Sequence, residues 1–335
     1  MKKVLNKPEN FVEEFMEGLV LAYGDQVSFL NEDKRILVRA QNNKTNKVGI
    51  VTAGGSGHLP LFCGYVGEGM IDGCAIGNVF ASPSASKMAT MIRACDTGKG
   101  VLCLYGNYGG DKMNFELAQE EVDFDDIKTV SVLAMDDIAS SPANQADKRR
   151  GVAGLVYAYK IAGASADRGD DLDTVAETTR AALANIRSMG FALSPCILPE
   201  VGEPSFHIAD DEIEVGMGIH GEPGIETRKM MTADEIADTA FATINQELCL
   251  KTNDEVSIMI NGLGATPKEE LLIVFRRLHH LLSEQQVNVV MPHIGEYATS
   301  MEMAGLSVTI FKLTEEQKSL LGAPAKTPFY TNCNL

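Results

Sequence analysis

Apolar runs of strand length alternate with segments of helical period along most of the chain, the signature of an α/β protein. Residues 47–52 (KVGIVT) read as a buried strand ending in the glycine-rich turn Ala53-Gly54-Gly55-Ser56-Gly57-His58. Ser82 reads as an N-cap with Pro83 in the first helical position; Met88, Met91, Ile92 and Cys95 then share one helix face, and Gly98 terminates it. Residues 101–105 predict a strand opening into Gly106-Asn107-Tyr108-Gly109-Gly110-Asp111, with a helix from about Lys112. Residues 130–135 predict a third strand, ending at Asp136-Asp137.

Residues 151–166 are Ala/Gly-rich and apolar and read as a helix. Leu172, Val175, Ala176, Thr179, Leu183 and Ile186 mark one face of an amphipathic helix closing near Gly190. The pattern then changes to strands and proline turns (Pro195, Pro199, Pro204), with a strand from Glu212 towards Ile219. Capping boxes pair Thr232 with Glu235, Thr266 with Glu269 and Thr314 with Gln317; residues 256–260, 287–291 and 308–313 are further strands. The expectation is two α/β domains with mixed sheets flanked by helices, 1–190 and 191–335, with a substrate site between strand-end loops. At about 150 residues per domain the 335-residue length agrees with that division.

Composition narrows the function. The 46 Asp+Glu against 29 Lys+Arg give a net charge of −17, which argues against partners bound by neutralising phosphates, nucleic acid and anionic membrane alike. Lys7, Pro8, Glu9 and Asn10 interrupt any apolar leader after Lys2 and Lys3, and no apolar run approaches about 18 residues, so a soluble, cytoplasmic protein is expected. Seven dispersed cysteines (Cys63, Cys74, Cys95, Cys103, Cys196, Cys249, Cys333) form no C-x-x-C pair and read as reduced, buried thiols rather than a disulfide framework or zinc site; no metal is expected.

Glycine clusters are the strongest local signal. Gly216-Met217-Gly218-Ile219-His220-Gly221 matches G-x-G-x-x-G, but Glu222, Pro223 and Gly224 follow, a turn sequence where a dinucleotide site needs a helix to open. Gly98-Lys99 lacks the upstream glycine of a Walker loop, which would fall on Arg93. The chain therefore shows no nucleotide site of its own. Three strand-end loops remain, each joining glycines to one ionisable side chain: His58, Asp111 and His220. Taken singly, the histidines fit structural or solvated roles and Asp111 an N-cap. Together they suit a small polar substrate, with backbone N–H donors, an imidazole and a carboxylate to exchange protons with a hydroxyl. His207, His279, His280 and His293 lack such loops and read as surface or packing residues.

At these loops the sequence resembles the substrate-binding subunit of dihydroxyacetone kinase. The resemblance runs from Met1-Lys2-Lys3 almost to the C-terminus, through GGSGH (54–58), CGYVGEGM (63–70), NYGGDKMNF (107–115), RRGVAG (149–154), PEVGEPSF (199–206), GIHGEPGIE (218–226) and NGLGATP (261–267). It implies that the ketone carbon is held covalently, as a hemiaminal, on His220. Covalency anchors a ligand of six heavy atoms, worth about 9 kcal/mol at a best case of ~1.5 kcal/mol per atom, and rejects glycerol, which has no carbonyl. The resemblance also implies Asp111 as acceptor of the proton from the hydroxyl to be phosphorylated, and His58 as a hydrogen-bonding and acid/base group beside the backbone of Gly55, Ser56 and Gly57. Members of this type leave ADP or ATP, with Mg2+, to an all-helical partner; with the chain ending at Leu335, a separate kinase subunit is expected, together with a homodimer of this one.

Two departures bear on specificity. Leu59 stands where a glutamate usually follows the first histidine, and Gly106 where a lysine usually lies five residues before the aspartate; residues 79–86 (VFASPSAS) also differ from the usual VFTSPTPD. A four-carbon ketose such as erythrulose is one reading of the altered site. A regulatory paralogue that binds a ketose and co-activates a transcription regulator is the other; retention of Asp111 speaks for catalysis, Gly106 and Leu59 against.

Overall fold

The computed structural model describes residues 2–40, 46–222 and 224–333; Met1, Pro223 and Leu335, which figure in the sequence reading, lie outside the described residues. The chain runs through α1 (Phe11–Tyr23), β1 (Val27–Leu30), β2 (Asp33–Arg39), β3 (Gly49–Ser56), β4 (Gly73–Val79), α2 (Ala85–Cys95), β5 (Val101–Gly106), α3 (Gly109–Asp123), β6 (Thr129–Ala134), α4 (Gly154–Arg168) and α5 (Leu172–Ala184). There follow β7 (Ile186–Ala192), β8 (Glu212–Val215), β9 (Glu226–Lys229), α6 (Ala233–Leu248), β10 (Glu255–Gly262), α7 (Lys268–Glu284), β11 (Asn288–Val289), β12 (His293–Gly295), β13 (Gly305–Leu313), α8 (Glu315–Gly322), β14 (Ala325–Thr327) and β15 (Tyr330–Asn332).

Two compact units interleave along the chain. The first takes the chain up to Ala134, residues 156–181 and the stretch from Ser319; the second takes 135–155 and 182–318. In the first, a mixed sheet runs β1-β2-β4-β3-β5-β6, with β4, β3, β5 and β6 parallel. Val51 and Ala53 on β3 and Val101, Cys103 and Tyr105 on β5 pack against Met88, Met91 and Ile92 of α2 and Phe115 and Ala118 of α3. Intervening residues such as Ile50 and Leu102 are buried as well, and Thr52 shares a 2.7 Å hydrogen bond with Tyr159 of α4. Burial of both faces is why these strands are continuously apolar in sequence.

The second unit holds the sheet β11-β10-β13-β7-β8-β9, with β12 also beside β10; β10, β13, β7, β8 and β9 run antiparallel in turn. Its core joins Ile258, Ile260, Val308 and Ile310 to Ile244 of α6 and Leu271, Val274 and Leu278 of α7.

Local expectations meet the structure unevenly. The capping boxes at Thr232 and Thr314 form, each with the threonine oxygen accepting from the backbone three residues on at 3.2 Å and the Glu235 or Gln317 side chain accepting in return. The one read at Thr266 does not: its hydroxyl donates to Gly305 O at 2.6 Å and accepts from Gly305 N at 2.8 Å, and α7 starts after Pro267. Helix α2 opens at Ala85, three residues past Ser82, with Ser84 in the N-cap position. Residues 186–190 are strand, not the end of the amphipathic helix, because pairing of β7 with β13 overrides a helical period that α5 ends at Ala184.

Candidate functional site

Three neighbouring parallel strands of the first sheet, β4, β3 and β5, deliver their following segments to one sheet edge, where ligand crevices of α/β proteins form. They are residues 80–84, His58 and the Asp111 turn. Sheet topology thus brings His58 and Asp111 to the same end of one sheet.

The residues of the predicted GGSGH turn are largely strand, since β3 continues through Ser56. Their glycines answer to packing. A Cβ on Gly54 would lie 2.3 Å from the Phe62 ring, and one on Gly55 would lie 2.6 Å from Ala81 N and 2.9 Å from Phe80 C. Gly57 adopts φ +98°, and Ser56 Oγ donates to Gly77 O at 2.7 Å, tying the β3 end to the β4 end. His58 is 1% exposed. Its ring stacks on Phe80 (centroids 4.8 Å, 12°) and meets the Phe62 ring edge-on (6.0 Å, 76°). Both phenylalanines hold left-handed backbone, φ +57° and +68°, which costs a bulky residue on the order of 1 kcal/mol each and is characteristic of sites where geometry outranks stability.

Helix α3 opens at Gly109, three residues before the expected Lys112, and Lys112 N closes its first turn on Tyr108 O at 2.9 Å. Asp111 therefore sits inside that turn rather than at the N-cap, 5% exposed, where the helix dipole favours an anionic side chain. Gly110 leaves room for Ser82 Oγ, 2.7 Å from where its Cβ would be, and Asn114 Nδ2 donates to Pro83 O at 2.8 Å, so α3 and the altered 79–86 segment are locked together. Gly106 is the last residue of β5.

In the second unit His220 lies in the connection between the antiparallel strands β8 and β9; the element after its G-x-G-x-x-G match is β9, not a helix. The strand expected to reach Ile219 stops at Val215. Glu222 grips His220 twice: Oε1 lies 2.9 Å from the ring Nδ1, and Oε2 accepts the His220 backbone N–H at 2.9 Å. Arg150 stands behind, its Nη1 3.7 Å from Glu222 Oε2, its Nη2 donating to Gly216 O at 3.1 Å and its Nε donating to Asp137 Oδ2 at 2.9 Å. Burial pushes the Glu222 carboxyl up, but the hydrogen bond from His220 and the charges of His220 and Arg150 outweigh it and bring the group down to about 2. Burial raises Asp137 to about 7, against the opposing charge of Arg150. Asp136 is held by Val152 N at 3.0 Å, Gly154 N at 2.9 Å and Ser188 Oγ at 2.5 Å, a fixed point for the strand end.

Sequence reasoning picked out the three ionisable residues but missed their supports. By local pattern Glu222, two residues after His220, is only part of a turn, and nothing nearby in sequence marks its contact with the His220 ring. Arg150 falls within the RRGVAG segment (149–154), and Phe62 and Phe80 carry no periodic signal at all.

Cys63, Cys74, Cys95, Cys103 and Cys196 are buried, whereas Cys249 and Cys333 are exposed. Burial pushes the Cys63 thiol up to about 12. His207, His279 and His280 are exposed, and burial pushes His293, on β12, down to about 4. Among the described residues, no group of three or more His, Cys, Asp or Glu side chains is arranged to hold a metal ion, and no helix is long and apolar enough to cross a membrane.

Known proteins match the chain along nearly its whole length. It is 42% identical to a PTS-dependent dihydroxyacetone kinase 2, dihydroxyacetone-binding subunit DhaK, of Listeria innocua, over 98% of this chain and 99% of that one. It is 41% identical to an L-erythrulose kinase of Pectobacterium atrosepticum, covering 98% of this chain but only 56% of that protein. Among solved structures, the dihydroxyacetone kinase operon co-activator Dha-DhaQ superposes with a TM-score of 0.90 at 30% identity, over 96% of this chain and 99% of that one. Residues 17–329 match the Dak1 domain, and the chain belongs to that family.

Proposed function

We propose that this chain is the dihydroxyacetone-binding subunit of a kinase for dihydroxyacetone or a similar short-chain ketose. The observation that carries the reading is the end-to-end correspondence with the Listeria subunit. In this reading the His220 imidazole bonds the ketone carbon as a hemiaminal. Asp111 accepts the proton of the hydroxyl that is phosphorylated, and His58 hydrogen-bonds the substrate beside Gly55, Ser56 and Gly57. Burial of His58 and Asp111 supports these roles, because removal of water strengthens hydrogen bonding and proton transfer at a small substrate. A separate helical subunit brings ADP or ATP with Mg2+, and this chain works as a cytoplasmic homodimer. The net charge of −17 suits a subunit that takes a neutral sugar and leaves the anionic donor to its partner.

Two specific observations favour narrower variants. Similarity to an L-erythrulose kinase, with Gly106 in place of a charged donor, favours a four-carbon ketose. Similarity to Dha-DhaQ favours ketose-dependent co-activation of a transcription regulator without transfer.

The test combines the purified chain with its helical partner and phosphoryl donor and measures ketose phosphate from dihydroxyacetone and erythrulose. Turnover on either supports the kinase, and their ratio selects the substrate. No turnover on any C3 or C4 ketose overturns the enzyme reading and leaves co-activation.

A further inference from the structure

Phe62 holds a backbone conformation, φ +68°, that a bulky side chain keeps only where its surroundings over-determine it, and its ring meets His58 edge-on at 6.0 Å. Part of what over-determines it comes from the far end of the chain. From His58 to Tyr65 the backbone turns on itself, Leu61 N donating to His58 O at 2.8 Å, Gly64 N to Pro60 O at 3.0 Å and Tyr65 N to Phe62 O at 3.1 Å. Bonds this local shape the turns without anchoring them. The strands β14 and β15 supply an anchor: Thr327, 3% exposed, donates its hydroxyl to Gly64 O at 2.9 Å and accepts Tyr330 N at 3.0 Å, so its single proton is committed to Gly64. Glu68 and Lys326 exchange backbone hydrogen bonds, each 2.9 Å. The glycines of CGYVGEGM (63–70) answer to this contact. A Cβ on Gly64 would lie 2.7 Å from the Phe329 ring, one on Gly67 2.4 Å from Lys326 O and one on Gly69 2.2 Å from Pro324 O. The hairpin is tied down in turn. Asn332 Nδ2 donates to Ala323 O at 3.0 Å, and Lys160 of α4, 1% exposed, donates to Leu320 O near the end of α8 at 2.7 Å.

We propose that the C-terminal hairpin β14–β15 is a clamp that positions His58, with Thr327 as the positioning residue that transmits it through Gly64 and Phe62. The inference rests on the proposed role of His58 at the substrate. The path is short. Thr327 holds Gly64, two residues from Phe62, and the Phe62 ring fills the space that Gly54 leaves on β3, 2.3 Å from where a Cβ would stand. With β3 behind it, a ring displaced by release of Gly64 bears on the imidazole at its edge. The segment CGYVGEGM thus serves the hairpin and, through it, the site. Thr327 acts only by where it puts Phe62, so its loss moves the rate of a step that needs His58 in place more than it moves ketose affinity.

The test uses the full chain in two measurements: ketose phosphate formation with the helical partner and phosphoryl donor, and 1H–13C spectra of the chain labelled at histidine Cε1. The His58 peak is the one lost in His58→Gln. Thr327→Val keeps the shape and removes the hydroxyl. It is expected to shift the His58 peak, which senses the Phe62 and Phe80 rings beside it. It should also lower kcat about 10-fold with little change in KM, since a full displacement of about 1 Å costs on the order of 100-fold. Thr327→Ser, which restores the donor, should return both readings towards native values. Thr232→Ala, which weakens α6 in the second unit, controls for lost stability and should leave the peak and kcat unchanged. If Thr327→Val does not fold, Phe329→Leu at a 37% exposed position reads the same displacement. An unmoved His58 peak with native kcat in a folded Thr327→Val or Phe329→Leu overturns the clamp, and so does an equal fall in kcat in Thr232→Ala. No turnover by the native chain overturns the kinase reading instead, and the His58 peak then decides the clamp by itself.

Discussion

Replacing Gly54 by alanine places a methyl carbon 2.3 Å from two atoms of the Phe62 ring. Carbon atoms in contact rest at about 3.5–4.0 Å, so ring and backbone must separate by more than about 1 Å. Neither moves easily. Phe62 is 4% exposed with its backbone at φ +68°, and Gly54 lies inside the central strand β3. Overpacking of this kind costs about 1–3 kcal/mol, more than the 0.4–1 kcal/mol that alanine gains by stiffening the unfolded chain. At about 2 °C per kcal/mol for a protein of this size, the melting temperature should fall by roughly 2–6 °C. The Phe62 ring also abuts His58 edge-on at 6.0 Å, so its displacement moves the imidazole. A shift of about 1 Å in a catalytic group is enough for a loss on the order of 100-fold in turnover. Thermal unfolding followed by circular dichroism reads the first effect, and ketose phosphate formation with the partner subunit reads the second. Shrinking the neighbour as well, in Gly54→Ala with Phe62→Leu, should recover part of the melting temperature by relieving the clash. A melting temperature that stays level or rises in Gly54→Ala would refute the packing argument for this glycine.

Other substitutions separate the proposed roles. His220→Ala should leave the chain folded, since that side chain is 20% exposed, while intact-mass spectra lose the ketose adduct; an adduct that survives places the nucleophile elsewhere. Asp111→Asn should retain ketose binding but lower kcat by about 100-fold or more, because an amide cannot accept the proton, and equal loss of binding and kcat would contradict that division. Thr232→Ala removes the α6 capping box and should cost about 1 kcal/mol in denaturant unfolding, with no change in ketose binding. Hydrogen bonds from Arg149 draw the Glu247 carboxyl down to about 2, with Arg187 assisting against burial. Its folded value lies below the unfolded 4.5, so its stabilisation is complete above that pH and fades as the pH falls from 4.5 towards 2. Glu247→Gln should therefore be less stable at pH 7 and show a shallower acid decline, and an acid limb of unchanged slope would count against the pairing.

Elements with a strong local cause were legible in the sequence. The run 101–105 is apolar because β5 is buried on both faces, and the α2 face of Met88, Met91, Ile92 and Cys95 is buried as its spacing requires. Thr232 and Thr314 cap helices through bonds that span only a few residues. Thr266 carried the same local signature but found Gly305, distant in sequence and adjacent in space, as a better partner. Residues 186–190 likewise continued a helical period until pairing with β13 claimed them.

The site divides in the same way. Glycine clusters with one ionisable side chain each were enough to single out His58, Asp111 and His220, because such loops need few residues and leave a compact mark in sequence. What surrounds those side chains came only from the tertiary structure. Parallel pairing of β4, β3 and β5 puts His58 and Asp111 at one sheet end, although more than fifty residues separate them in sequence. The Phe62 and Phe80 rings flank His58 only because two left-handed turns fold back on it. Arg150 and Asp137 come from a segment far upstream of Glu222 and His220. The sequence by itself determined the α/β alternation, the candidate chemistry and the acidic charge, all of which follow from residue type and short spacing. The supports of each catalytic candidate were decided by long-range pairing, which local pattern does not encode.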